Sequence, residues 1–132
     1  MSSPTQADKL ETLSPVDIEA QGVFKYVLIE AYANDGDPNN IQTEVSKLLV
    51  RGYSRAEYHA DIYEECEEKE IRGQGLDAQC LGGGRIIHTP KDKYLKVYGY
   101  SVAYGKADHS KAVELLQVKY PDYKIEQSDE GY

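Results

Sequence analysis

The run Val23–Tyr32 constrains the fold of this chain more than any other segment. It is rich in β-branched and aromatic residues and is almost wholly apolar on both faces, with Lys25 as the exception. A strand of this kind is typical of a sheet that is covered on both sides. The chain has 132 residues, which is about one domain and enough to form one hydrophobic core. We therefore expect a single domain built around a covered sheet.

Apolar periodicity and turn residues predict the remaining elements. The further predicted strands are Val16–Ile18, Val45–Tyr53, Asp77–Thr89, Tyr94–Ser101 and Tyr123–Gln127. Two helices are too few to make every strand connection parallel, so antiparallel pairs must also be present. The sequence therefore predicts an α/β fold, in which one mixed β-sheet carries two packed α-helices.

Helix boundaries are indicated by capping residues. Ser54–Glu57 has the spacing of a capping box and predicts a helix that runs to about Ile71. Asp108 is expected to cap the second helix, which Pro121 ends.

The domain boundaries follow from composition. Residues 1–15 are polar and predict a disordered leader, so the folded domain is expected to span residues 16–132. Residues 34–40 predict a loop, because Asn, Asp, Gly and Pro dominate them.

Composition argues against several classes of protein. The formal net charge of −8 disfavours a nucleic-acid partner, which needs a basic surface. There is neither an apolar run long enough to span a bilayer nor an apolar signal-peptide region. Cys66 and Cys80 are expected to be free thiols of a reducing compartment rather than one disulfide. We therefore expect a cytoplasmic monomer without a membrane partner.

No metal or cofactor is expected. The cysteines lack metal-ligand spacing. The acidic run Glu64–Glu70 spreads its carboxylates around most of the predicted helix, which is typical of a solvated face.

His59 is the histidine with the most informative position. The capping box places it in the second turn of the predicted helix, where the positive end of the helix dipole disfavours imidazolium. A neutral imidazole can act as a base or as a nucleophile. The alternative is a structural histidine that packs on Ile62 and Tyr63. Lys25 likewise either meets an anion or extends to solvent at the sheet edge.

Two glycine-containing segments leave alternatives open. Gly82–Gly84, followed by Arg85, lacks the spacing of a P-loop and favours a bulge or a close backbone approach. Ser101–Gly105, between a strand and a helix, either presents backbone N–H groups to an anion or is an ordinary connection.

Several of these segments occur together in one known family. The chain resembles the protein phosphohistidine phosphatase family, also called the janus/ocnus family, over about residues 16–132. The segments that carry the resemblance are Val23–Ile29, Val50–Tyr53, Ala56–Tyr63, Cys80–Ile86, Val97–Ser101, Ala103–Gly105 and Lys119–Tyr123. The Tyr-His-Ala-Asp-Ile-Tyr and Gly-Gly-Gly-Arg stretches are specific in combination. The resemblance implies a mixed sheet between two helices, in agreement with the pattern.

The resemblance also implies an activity and a site. The activity is metal-independent hydrolysis of the P–N bond of phosphohistidine in proteins, with phospholysine left open as a second substrate. His59 matches the catalytic base or nucleophile. The other matching positions form the substrate pocket: Lys25, Ser101, Val102 and Ala103, with His59's neighbours Tyr58 and Ala60, and the nearby basic positions Arg51 and Arg85. The chain departs from the family pattern at Val102, where methionine is commoner, and in the strongly charged stretch 64–72.

Two other functions remain open. A non-catalytic phosphohistidine or phosphopeptide-binding module would use the same pocket. A ribonuclease-like hydrolase would need a second catalytic histidine, His88 or His109, and the net charge disfavours an RNA substrate.

Overall fold

The computed structural model describes residues 6–34 and 44–128, and its framework is a six-stranded sheet in the order β1-β3-β2-β4-β5-β6. The strands are β1 (Val16–Ile18), β2 (Gly22–Asn34), β3 (Glu44–Gly52), β4 (Asp77–Thr89), β5 (Tyr94–Tyr98) and β6 (Lys124–Gln127). The β1–β3 and β5–β6 pairs are parallel, whereas the other three pairs are antiparallel. The predicted mixed sheet is confirmed. Only the first residue of the predicted loop at 34–40 lies within the described ranges. Residues 129–132 also lie outside them.

The α-helices within these ranges are α1 (Gln6–Glu11), α2 (His59–Cys66) and α3 (His109–Lys119). A π-helical turn at Glu67–Ile71 and a 3-10 turn at Arg72–Gln74 continue α2 until Gly75, which has a positive φ of 73°. The carboxylate of Asp108 accepts the N–H of Ser110 at 3.1 Å, so the predicted cap of α3 is confirmed.

Strand β2 lies near the middle of the sheet, and both of its faces are buried. On one face, Val27 and Ile29 pack with Ile62 of α2. On the opposite face, Leu28 packs with Leu116 of α3. The expectation that helices cover this strand on both sides is confirmed, and the arrangement places the start of α2 against β4.

The N-terminal segment differs from the predicted disordered leader over residues 6–15. Leu10 of α1 is 2% exposed and Leu13 is 4% exposed, and both belong to the core beneath α2. Lys47 also donates from Nζ to the Leu13 carbonyl at 2.6 Å. A helix this short is not stable alone, so its order depends on tertiary burial that a polar composition conceals. Residues 1–5 lie outside the described part of the chain.

The start of α2 also differs from the prediction. Ser54 and Glu57 do not cap the helix; Tyr58 is the N-cap, and its N–H donates to Asp61 Oδ2 at 3.0 Å. The two pairs have the same spacing, but Ser54 and Glu57 fit a capping box better by residue type, so the sequence pattern favours the pair that does not cap the helix. His59 is consequently the first residue of α2 rather than a residue of its second turn.

Candidate active site

A cavity of about 610 Å³ opens at the N-terminal end of α2, between strands β2 and β4 and the turn that follows β5. All predicted site residues except Arg51 line it: Lys25, Tyr58, His59, Ala60, Arg85, Ser101, Val102 and Ala103. Glu57 and Tyr100 also line the cavity and are missed by the sequence analysis. The sequence analysis assigns Glu57 to a predicted helix cap and Tyr100 to a predicted strand, so neither residue is predicted to lie in a site.

The hydrogen bond of His59 fixes which ring nitrogen is protonated. His59 is 8% exposed, and its Nε2 lies 2.9 Å from the carbonyl oxygen of Gly84. A carbonyl oxygen only accepts, so Nε2 carries the proton and Nδ1 keeps its lone pair. No partner for Nδ1 is found among the described residues. The ring therefore presents an unprotonated nitrogen in a residue that lines the cavity.

The surroundings of His59 keep its ring neutral. Burial lowers the pKa of His59 below its ordinary value, and the positive charges of Lys25 and Arg85 lower it further. The hydrogen bond to Gly84 acts in the opposite direction and does not outweigh them. A neutral ring near pH 7 is able to accept a proton or to attack an electrophile.

The glycines of β4 allow this close packing. A Cβ on Gly83 would lie 2.7 Å from His59 Cδ2, and one on Gly84 would lie 2.8 Å from His109 Cε1. Gly83 also exchanges backbone hydrogen bonds with the following loop, donating to Gly105 and accepting from Ala107. The predicted close backbone approach is confirmed.

The turn after β5 presents backbone donors. Its ends are fixed because the N–H of Ser101 donates to Gly105 at 3.1 Å and the N–H of Gly105 donates back at 2.8 Å. Ser101 Oγ accepts the N–H of Tyr104. Within the described part of the chain, the N–H groups of Val102 and Ala103 have no acceptor. These two donors, with the Ser101 hydroxyl proton, can bind an anion at the cavity.

The two cations of the cavity are neighbours across the sheet. Lys25 of β2 is paired directly with Arg85 of β4. Both side chains are partly buried and line the cavity with His59. The arrangement combines positive charge, backbone donors and a neutral imidazole, which suits an anion that undergoes attack.

The prediction that Arg51 lies near this pocket is wrong. Its guanidinium is fully buried and bonds both carboxylate oxygens of Glu70, from Nε at 2.9 Å and from Nη2 at 2.8 Å. Nη1 donates to the Val50 carbonyl, and Nη2 also donates to the Ser14 carbonyl. Arg51 therefore joins β3 to the π-helical turn. The sequence predicts that the whole stretch Glu64–Glu70 is a solvated face. Glu70 departs from this prediction, because its carboxylate pairs with the buried Arg51.

The chain matches a known family. The family model described as the Janus/Ocnus family matches residues 10–124. The chain belongs to the Janus/Ocnus family. It is 56% identical over 117 residues to the sex-regulated protein janus-A of Drosophila pseudoobscura pseudoobscura, covering 89% of this chain and 76% of that protein. It is 48% identical over 126 residues to the 14 kDa phosphohistidine phosphatase of Sus scrofa, covering 96% and 98%. The corresponding values for the 14 kDa phosphohistidine phosphatase of Homo sapiens are 47% over 125 residues, covering 93% and 96%.

The other two histidines of this Janus/Ocnus chain have both ring nitrogens occupied. His88 donates from Nδ1 to the Glu19 carbonyl at 2.8 Å, and its Nε2 accepts the Tyr123 hydroxyl at 3.2 Å. His109 donates from Nε2 to Gly99, and its Nδ1 accepts the Tyr26 hydroxyl at 2.5 Å. Their positions favour structural roles.

Three further findings concern metals, membranes and thiols. Across residues 6–34 and 44–128, no group of three His, Cys, Asp or Glu side chains is arranged to hold a metal ion. No helix of the described ranges is long and apolar enough to cross a membrane. Cys66 and Cys80 of this Janus/Ocnus chain are free, and burial raises the pKa of both thiols, to about 12 and about 11.

Proposed function

We propose that this protein hydrolyses the P–N bond of phosphohistidine in proteins, with His59 as general base or nucleophile. One observation carries the proposal: the unprotonated Nδ1 of a neutral histidine shares a cavity with Lys25 and Arg85. The 14 kDa phosphohistidine phosphatases of pig and human support the same activity through their similarity to the chain.

The phosphoryl group would be held by charge and by backbone donors. Lys25 and Arg85 neutralise its oxygens, and the N–H groups of Val102 and Ala103 donate to them. Ser101 contributes its hydroxyl proton, because its own N–H is already bonded to Gly105. This arrangement positions the phosphorus and stabilises the charge that develops on its oxygens.

The residues around His59 complete the proposed pocket. Ala60 follows His59 in the first turn of α2, where backbone N–H groups lack helical partners and favour an anion. Tyr58 contributes an aromatic surface at the mouth, since its side chain is 61% exposed.

His59 then supplies the attack on phosphorus by one of two routes. As a base, Nδ1 removes a proton from water, the oxygen forms a bond to phosphorus, and the P–N electron pair passes to the leaving nitrogen. As a nucleophile, Nδ1 bonds to phosphorus while the substrate P–N bond breaks and its electron pair passes to the leaving imidazole. Water then hydrolyses the phosphorylated ring of His59 in a second step. Both routes require the neutral ring, and Nε2–H···O=C bonding to Gly84 holds it in the required tautomer.

The finer features of the proposal concern conditions and partners. We propose a reaction that needs no metal, a cytoplasmic monomer, and substrates that are phosphohistidine-containing proteins rather than nucleic acids or membranes. The net charge of −8 supports the exclusion of nucleic acid.

The direct test is phosphate release from a protein phosphorylated on histidine, with EDTA present throughout. We expect turnover that EDTA leaves unchanged, and a single monomeric species in light scattering. Activity that disappears in EDTA and returns with one divalent cation would contradict metal independence. Tight binding without turnover would instead favour a phosphohistidine-binding module.

A further inference from the structure

One acidic residue lies in a cavity whose other charged groups suit an anion. Glu57 is the only carboxylate residue among the described residues that line it, and it shares the cavity with Lys25 and Arg85. Its side chain is exposed, and no hydrogen bond or ion pair joins it to another described residue. A negative charge beside a phosphate costs binding energy. Phosphate binding therefore gives no reason for Glu57 to be there.

The same cavity has two exposed aromatic rings. Tyr58 is 61% exposed and Tyr100 is 47% exposed, and both line the cavity with Glu57. Tyrosine faces attract cations and stack with planar rings. An acidic group with two aromatic rings suits a flat, positively charged partner, which a phosphate is not.

We propose that Glu57, with Tyr58 and Tyr100, binds the leaving imidazole of the substrate and gives the site its preference for phosphoramidates over phosphate esters. The inference rests on the proposed function of the cavity. It extends that function from the phosphoryl group to the other side of the bond that breaks.

The chemistry of the leaving group explains the preference. A phosphohistidine ring carries phosphorus on one nitrogen and takes up a proton from solvent on the other, which makes the ring cationic. Glu57 accepts a hydrogen bond from this second N–H and stabilises the cation. When water attacks phosphorus and passes a proton to His59, the P–N electron pair returns to the ring. The ring then leaves as neutral imidazole rather than as an anion.

A phosphate ester behaves in the opposite way. Its leaving oxygen gains negative charge as the P–O bond breaks, and no cationic form exists for a carboxylate to stabilise. Glu57 therefore assists departure from nitrogen and opposes departure from oxygen. A structural role for Glu57 would affect both substrates equally.

The test compares Glu57→Gln with the wild-type protein on two substrates and one inhibitor. The substrates are a phosphohistidine protein and the ester p-nitrophenyl phosphate, and the inhibitor is inorganic phosphate. We expect kcat on phosphohistidine to fall about tenfold, the loss of one partly exposed charge-assisted contact. Ester turnover is expected to stay level or rise, and phosphate is expected to inhibit equally or more strongly.

Glu68→Gln is the matched control, because it removes one exposed negative charge outside the cavity lining. It is expected to change none of the three measurements. An equal loss on both substrates, or an unchanged kcat on phosphohistidine, would overturn the inference while the proposed function stands. Absence of phosphohistidine turnover in the wild-type protein would overturn both.

Discussion

His59 and His109 occupy nearly equivalent positions on two different helices. Each is the first residue of its helix, each is buried, and each donates Nε2–H to a backbone carbonyl at 2.9 Å. Each ring also lies against a glycine of β4, Gly83 for His59 and Gly84 for His109. They differ at Nδ1, which accepts the hydroxyl of Tyr26 in His109 and has no partner among the described residues in His59.

Helix position and tautomer are therefore the same in the proposed catalytic histidine, His59, and in His109, whose two ring nitrogens have protein partners. What distinguishes them is the environment of the second nitrogen. His59 lines a cavity together with Lys25 and Arg85, whereas His109 lies against the buried Tyr26. Burial raises the pKa of Tyr26, so its hydroxyl stays protonated and continues to donate to His109.

Removing His59 should have the largest effect on activity. His59→Ala is expected to lower turnover of a phosphohistidine protein about 100- to 10,000-fold, because general-base assistance is lost. His88→Ala and His109→Ala, assayed per folded molecule, should retain much of the activity, since both rings have structural partners. Comparable losses in all three variants would remove the distinction between the two environments.

Removing Lys25 should have a smaller effect, on substrate binding. Lys25→Ala is expected to weaken binding of the phosphohistidine substrate about ten- to a hundredfold without unfolding the domain, because one charge-assisted contact is lost. Isothermal titration and steady-state kinetics measure the change. Unchanged affinity would mean that the ammonium group only extends to solvent.

Arg51→Ala is the matched control for Lys25→Ala, because the structure separates these two cations. The substitution leaves Glu70 without its partner and should lower the free energy of unfolding by about 3 kcal/mol. The variant molecules that remain folded should bind substrate with wild-type affinity. A substrate-binding defect in folded Arg51→Ala would contradict the position of Arg51 outside the cavity.

The sequence predicts most of the fold, because local patterns and burial agree there. The two-sided strand Val23–Tyr32 and the Asp108 cap are examples. The short α1 is missed because its order comes from burial of Leu10 and Leu13, which local composition does not indicate. The start of α2 is misplaced because Ser54 and Glu57 have the residue types of a cap, whereas the helix begins after Tyr58, whose residue type does not indicate a cap.

The candidate site is predicted from the sequence less completely. His59, Lys25 and the turn after β5 carry recognisable patterns. Arg51 is misassigned because its partner, Glu70, is 19 residues away and only the tertiary fold brings them together. Glu57 is missed for a related reason, since its local pattern suggests a cap.

The smallest expected effect concerns the partner of His109. Tyr26→Phe removes the hydroxyl that donates to Nδ1 and should lower the free energy of unfolding by about 1 kcal/mol, measured by urea denaturation. Turnover should not change. The double variant Tyr26→Phe/His59→Ala should stay inactive, because freeing the His109 nitrogen supplies neither a cavity nor cations. Recovery of activity in that variant would show that an unpartnered nitrogen is sufficient.

The most direct measurement is a ¹⁵N NMR titration of the histidine rings between pH 5 and 8, with and without inorganic phosphate. Burial and the nearby cations lower the pKa of His59, so its ring should be the neutral Nε2–H tautomer at pH 7 and should protonate at a lower pH than an ordinary histidine. Turnover should fall as the pH drops through the same midpoint, because protonation removes the Nδ1 lone pair. Phosphate should shift the His59 signals and leave those of His109 unchanged. A protonated Nδ1 in neutral His59, or an equal response of both rings to phosphate, would contradict the account.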